Sequence, residues 1–212
     1  MADWSTHMTV SPFALTRTSQ EQLDDLVLEL LAVQGQWEED AYIWLADKAN
    51  RLIEFTDGYI EVLPMPTDDH QLLSQHLLLN FLAFLKPRGG VIQYAPLKLR
   101  IRARKYREPD LLLLLDASDQ RRGQQHWTGA DLVVEIVSPD NPARDLVEKR
   151  RDYAEAKIRE YWIVNPLDEM VVVLQLHGDG YREYGVFGRD TRATSALLSA
   201  FSVDVTALFD AS

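Results

Sequence analysis

The chain has 212 residues, 46% hydrophobic and 26% charged, an ordinary globular composition with length for one domain and a substantial core. It contains no cysteine, which excludes disulfides, thiolate zinc sites and cysteine nucleophiles. Its 22 Lys and Arg against 33 Asp and Glu leave a formal net charge of -11, so the surface as a whole argues against non-specific capture of nucleic acid. The start shows no basic region followed by an apolar core, and no apolar run approaches the roughly 18 to 20 residues that cross a bilayer. A soluble, cytoplasmic protein without a membrane partner is the expectation.

Residues 1–18 read as a loose lead-in. Thr18-Ser19-Gln20-Glu21 then offers a capping signal for a short helix through Leu23, Leu26, Leu28, Leu30 and Leu31. Two β-rich runs, 51–55 and 59–63, flank Asp57-Gly58 and predict a hairpin. Pro64 and Pro66 end it. Asp68 or Asp69 can cap a helix from His70 to Leu85, which Gly89-Gly90 closes. From 91 to 106 an extended run places Lys98, Arg100, Arg102 and Arg104 on one side, with Leu97, Leu99, Ile101 and Ala103 on the other. Such a basic stripe could track a nucleic-acid backbone, or be a solvated face paired with the surplus acids.

Pro109-Asp110 leads into an apolar run, 111–115, that suits a central strand, as does 131–137. The polar stretch 117–130 between them reads as a surface loop. Asn141 and Pro142 open a helix expected to run to about Ala156. Strands follow at 161–164, 170–176 and 181–186, joined by turns at 165–168 and 178–180. The order of elements predicts a mixed α/β or α+β domain, a mixed sheet flanked by helices.

Glu135 is the anomaly. It lies among Val133, Val134, Ile136 and Val137, so it must be paired, metal-bound or protonated. Asp110, at the mouth of the other apolar run, can meet it if the strands are neighbours, about 4.8 Å apart. Two such carboxylates suit a hard ion such as Mg²⁺. Leu146, Lys149 and Tyr153 follow the spacing of an inward helical stripe, which brings an amine toward the carboxylates. Arg150 competes for that place, Asp145 could hold Lys149 in a surface pair, and Arg100 or Arg102 could neutralise Glu135 in a purely structural ion pair.

Pro109-Asp110, the run 132–139, the run 145–153 and the run 160–166 together resemble the Uma2 family of restriction-endonuclease-like proteins. The likeness extends upstream to Leu52-Ile53-Glu54, Asp57-Gly58 and His70, and downstream through Leu197-Leu198 to Phe209, so that 19–212 reads as one such domain. It implies the PD-(D/E)XK nuclease fold and an endonuclease that hydrolyses DNA phosphodiesters with Mg²⁺ or Mn²⁺ held by Asp110 and Glu135. The usual motif has a lysine two residues after the second acid, where this chain has Val137; the resemblance implies that Lys149 substitutes. It also implies that Glu54 and His70 border the site, with Tyr153 beside them. A homodimer would supply two active sites for two strands. The rival expectation is an inactive module that kept the fold to bind nucleic acid or a protein.

Overall fold

A computed structural model describes residues 33–49, 51–138 and 144–211, with residue 145 described in its backbone only. The expected lead-in, the helix at 18–31, the Asn141 cap and the Asp145 side chain lie outside the described residues. Among the described residues no helix is long and apolar enough to cross a membrane.

Two sheets organise the molecule. The smaller has five strands: β1 (Ile53–Thr56), β2 (Tyr59–Val62), β4 (Lys98–Arg102), β5 (Lys105–Arg107) and β7 (His126–Trp127), in the order β2-β1-β5-β4-β7. The larger has six: β3 (Val91–Tyr94), β6 (Leu111–Leu114), β8 (Leu132–Ile136), β9 (Glu160–Asn165), β10 (Met170–His177) and β11 (Gly180–Phe187), in the order β11-β10-β9-β8-β6-β3. Strands β8 and β9 are parallel, joined by a crossover that contains a π-helical turn (Arg144–Glu148) and helix α3 (Lys149–Glu155); their other neighbours in this sheet are antiparallel. The mixed α/β expectation therefore holds.

The apolar strands are buried on both faces, and alternation decides which residue meets which helix. Leu132, Val134 and Ile136 of β8 pack in one core with Leu73, Leu77, Phe81 and Leu85 of helix α2 (Asp68–Leu85). Val133 and Val137 pack in the opposite core with Tyr153 and Ala154 of α3. Glu135, between Val133 and Val137 in the same alternation, thus faces α3.

Several expectations need correction. Helix α2 is capped by Thr67, whose Oγ1 accepts from the His70 N–H at 3.3 Å; Asp68 and Asp69 lie inside its first turn, where the helix dipole favours them. The extended run 91–106 is three strands, because the chain turns at Pro96 and again at Ala103-Arg104, where Arg104 has φ 61°. Arg104 therefore sits in a hairpin turn and not on the strand face. The polar stretch 117–130 returns to the small sheet through β7, since burial of the Trp127 side chain beside β4 outweighs its polar surroundings. Leu146, read as the start of an inward stripe, is 38% exposed because the π-helical turn shifts the phase before α3.

Other elements had no counterpart in the sequence reading: α1 (Glu39–Lys48), in which only Tyr42 is buried, the small pair β12 (Arg192–Thr194) and β13 (Ser202–Asp204), and α4 (Val205–Phe209). The β1–β2 hairpin does form on Asp57 (φ 49°) and Gly58 (φ 94°), both left-handed as a tight two-residue turn requires. A Cβ on Gly58 would lie 2.4 Å from the Gly35 carbonyl oxygen, so the turn also admits the incoming chain.

Candidate active site

The chain passes from the small sheet to the large one through Glu108-Pro109-Asp110, the three residues between β5 and β6. The site forms at this junction. Strand β6 runs antiparallel to β8 with Leu111 opposite Val134, so Asp110, one residue earlier, stands across from Glu135. Directly opposed residues have Cβ atoms about 5 Å apart. Asp110 is fixed by the backbone N–H of Ile136, which donates to its Oδ2 at 2.7 Å, and His70 Nε2 lies 3.2 Å from the same oxygen.

Glu135 is 2% exposed, and its charge is answered from α3. Lys149 Nζ lies 2.8 Å from Oε2, and the Tyr153 hydroxyl donates to Oε1. The i, i+4 spacing of Lys149 and Tyr153 puts both over one face of the sheet. Burial, followed by the Glu135 charge, pushes the Tyr153 phenol well above its usual value, so it stays a donor. Arg150 turns away and donates to the Tyr181 carbonyl at 2.9 Å. Arg100 and Arg102 pair elsewhere, so Glu135 is not the structural partner of either.

Glu54, at the start of β1, is fully buried and gathers three cations: Arg144, Arg107 at 3.4 Å and Lys149 at 4.0 Å. Burial pushes its carboxyl up, but Lys149, Arg107 and Arg144 together outweigh burial and hold it below the ordinary range. Glu54 thus stays ionised and ties Lys149 to a second anion. Its Oε1 also accepts from the Glu108 N–H at 3.0 Å, while Glu108 accepts from the Ile53 N–H at 3.1 Å. Burial, then the Glu54 charge, raises Glu108 to about 8.

Arg107 further donates to Asp152 of α3, with Nη2 2.6 Å from Oδ2, and Lys105 joins the same carboxylate. This network fastens α3 to the small sheet and so sets where Lys149 can reach. Sequence reasoning missed Arg107, Asp152, Arg144 and Glu108 as participants. The only signal was the alternation of charge around 105–108 and 144–152, which a surface helix would show equally.

The basic stripe is spent within the molecule. Lys98 pairs with Asp47 at 2.8 Å, Arg100 with Glu39 at 3.2 Å, Arg102 with Asp57 at 2.7 Å and Glu155 at 2.8 Å, and Arg104 with Glu38 at 2.6 Å. Lys98 is moreover buried. A phosphate approaching this face would have to break these pairs. The acids responsible lie at 38–57 and 155, distant in sequence and brought in by α1, the β1–β2 turn and α3.

Among the described residues no group of three or more His, Asp or Glu side chains is placed to hold a metal ion. Two opposed carboxylates, hard oxygen donors with Asp110 only partly buried, nevertheless fit Mg²⁺ or Mn²⁺, which take one or two carboxylates and fill the rest with water and phosphate oxygen.

Comparison with known proteins agrees with this architecture. Residues 37–206 match the family model Uma2, described as "Putative restriction endonuclease". An uncharacterized protein of Synechocystis sp., slr1290, is 28% identical over 143 residues, covering 66% of this chain and 75% of that protein. The crystal structure of a "putative nuclease belonging to DUF820" from Anabaena variabilis superposes with a TM-score of 0.67 at 18% identity, over 81% of this chain and 97% of that one, and so shares the fold. With four fifths of its length inside the family model, the chain belongs to the Uma2 family.

Proposed function

We propose that this protein is a divalent-metal-dependent endonuclease that hydrolyses phosphodiester bonds of DNA. One observation carries the reading: Lys149, on the helix that follows the strand of Glu135, lies 2.8 Å from it on the face where Asp110 stands opposite. An acid and an amine meet, with a second acid opposite in register, although Val137 occupies the position where the usual motif has its lysine. DNA as the substrate is supported by the description of the family to which the chain belongs.

Asp110 and Glu135 would hold the ion. When bound, a divalent ion neutralises charge on the phosphate and makes a water more acidic. Lys149 Nζ, held between Glu135 and Glu54, would orient the attacking water or relay its proton at that nitrogen. Tyr153 fixes the Glu135 carboxylate so that Oε2 faces the amine. Glu54 acts through Lys149, as a positioning residue that keeps the ammonium in the site.

The test is cleavage of plasmid and short linear DNA with Mg²⁺, Mn²⁺ or EDTA, beside Asp110→Asn, which preserves an acceptor for the Ile136 N–H. Metal-dependent nicking lost in the variant is expected. If both proteins are inert across metals and bind no ion by calorimetry, the reading falls, and a binding module that kept the fold takes its place.

A further inference from the structure

We propose that Arg144 is the side chain that holds the phosphate of the substrate, and that Glu61 occupies it until substrate arrives, so that a DNA phosphodiester binds by displacing a carboxylate of the chain itself. This rests on the endonuclease reading above and adds the contact that receives the substrate.

Three cations gather at Glu54, and they are committed to different degrees. Lys149 is shared with Glu135 and Arg107 with Asp152, both acids nearly closed to solvent. Arg144 bonds the buried Glu54 through Nη2 and Glu61 of β2 through Nη1, and the Glu61 side chain is 58% exposed. Among the described residues it is therefore the cation of this cluster whose outer partner can be exchanged. Glu54 carries Lys149 near Oε1 and Arg144 on Oε2, which sets the guanidinium beside the amine that meets Glu135. Burial opposes the charge of Arg144, but Glu54 and Glu61, with a smaller part from Glu135, outweigh it and hold the guanidinium above its ordinary value. Arg144 thus stays charged within the field of the site.

Desolvation decides which of its two pairs can open. Glu61 stands directly opposite Glu54 across the β1–β2 hairpin, so two mutually repelling acids share one guanidinium. Release of Arg144 from Glu54 would strand a fully buried anion. Release from Glu61 returns an exposed carboxylate to water and frees Nη1, while Nη2 stays anchored. A phosphate can then take the carboxylate's place on the same planar fork, with bonds of the same charge-assisted kind. A purely structural Arg144, tying the π-helical turn to β2, would gain nothing for DNA from the loss of Glu61.

The experiment uses the full chain and a fluorescein-labelled DNA duplex, with affinity read by anisotropy across a range of salt in EDTA, where metal-dependent cleavage is off. Glu61→Gln is expected to bind about threefold to tenfold more tightly than the wild type, and Glu38→Gln, the same change of charge at the exposed Arg104 pair, to bind as the wild type does. Arg144→Gln should weaken binding about tenfold, reduce the salt slope by about one and abolish the gain when combined with Glu61→Gln. If Arg144→Gln fails to fold by circular dichroism, the two exposed glutamates decide alone. No gain in Glu61→Gln, or an equal gain in Glu38→Gln, overturns the role of Arg144, and metal-dependent cleavage by the same wild type then leaves the nuclease reading standing. A gain confined to Glu61→Gln in a protein inert with every metal keeps the phosphate contact and overturns catalysis. A wild type that neither binds the duplex nor cleaves DNA overturns both.

Discussion

Glu135 and Glu160 lie on neighbouring parallel strands of one sheet, both buried, and they are satisfied in opposite ways. Glu160 accepts from neutral donors: Trp162 Nε1 and Ser195 Oγ at 2.6 Å, and the Leu197 N–H at 2.7 Å. These bonds do not fully offset desolvation, and burial leaves its carboxyl raised above the ordinary 4.5. It ties β9 to the segment after β12 and is shielded from any reacting group. Glu135 instead meets an ammonium and a phenol at the junction of two sheets, opposite a second carboxylate that is partly exposed. A buried acid therefore does not by itself mark a site; what separates the two is a charged, partly open neighbourhood as against a closed neutral one.

That contrast can be tested from its strongest consequence downward. Glu135→Gln should lower the rate of metal-dependent cleavage by roughly a thousandfold in a supercoil-relaxation assay, about 4 kcal/mol in the barrier, with the fold retained by circular dichroism. Glu108 shares features of both environments, with a neutral backbone donor on one side and Glu54 on the other. Because its carboxyl is raised from 4.5 to about 8, the native state keeps a proton that the unfolded chain loses. Its contribution is fully present below about pH 4.5 and is lost as pH rises to about 8. In metal-free buffer, urea titrations should show Glu108→Gln gaining on the wild type across that window, by up to about 4 kcal/mol.

Glu160→Ala should cost about 3 kcal/mol of stability, from three donors left without their acceptor, with cleavage per folded molecule unchanged. If activity fell with Glu160, or survived without Glu135, the distinction between the two carboxylates would fail. The smallest effect is expected at the rim. Arg104→Ala removes an exposed pair with Glu38 and should change stability by less than about 1 kcal/mol in urea titrations. DNA affinity should be equally indifferent, since this cation is already neutralised within the molecule.

The short-range features were legible in the sequence. The β1–β2 hairpin follows from Asp57-Gly58, α2 from a long apolar run, and the buried strand from 131–137, because turn chemistry and periodicity act over a few residues. The placement of Lys149 on the sheet-facing side of its helix was readable from spacing with Tyr153, although Leu146 misled about where that stripe begins. What neutralises a charge was not legible, since an ion pair is chosen by whatever the fold brings near. The partners of Lys98, Arg100 and Arg104 arrive from the residue before α1 and from α1 itself, an element whose apolar run, 41–46, is continuous and so carries no helical periodicity, with only Tyr42 fully buried.

The sequence by itself determined that Glu135 lies in an apolar strand and needs a partner, because alternation and the cost of burying charge are local facts. Only the tertiary structure decided that the partner is Lys149, that Glu54, Arg107, Arg144 and Asp152 hold the surrounding network, and that His70 reaches Asp110. Lys149 and Glu135 are 14 positions apart across one crossover, the other contacts join residues 40 to 90 positions apart, and nothing short of packing the cores against one another fixes which of many charged side chains meet.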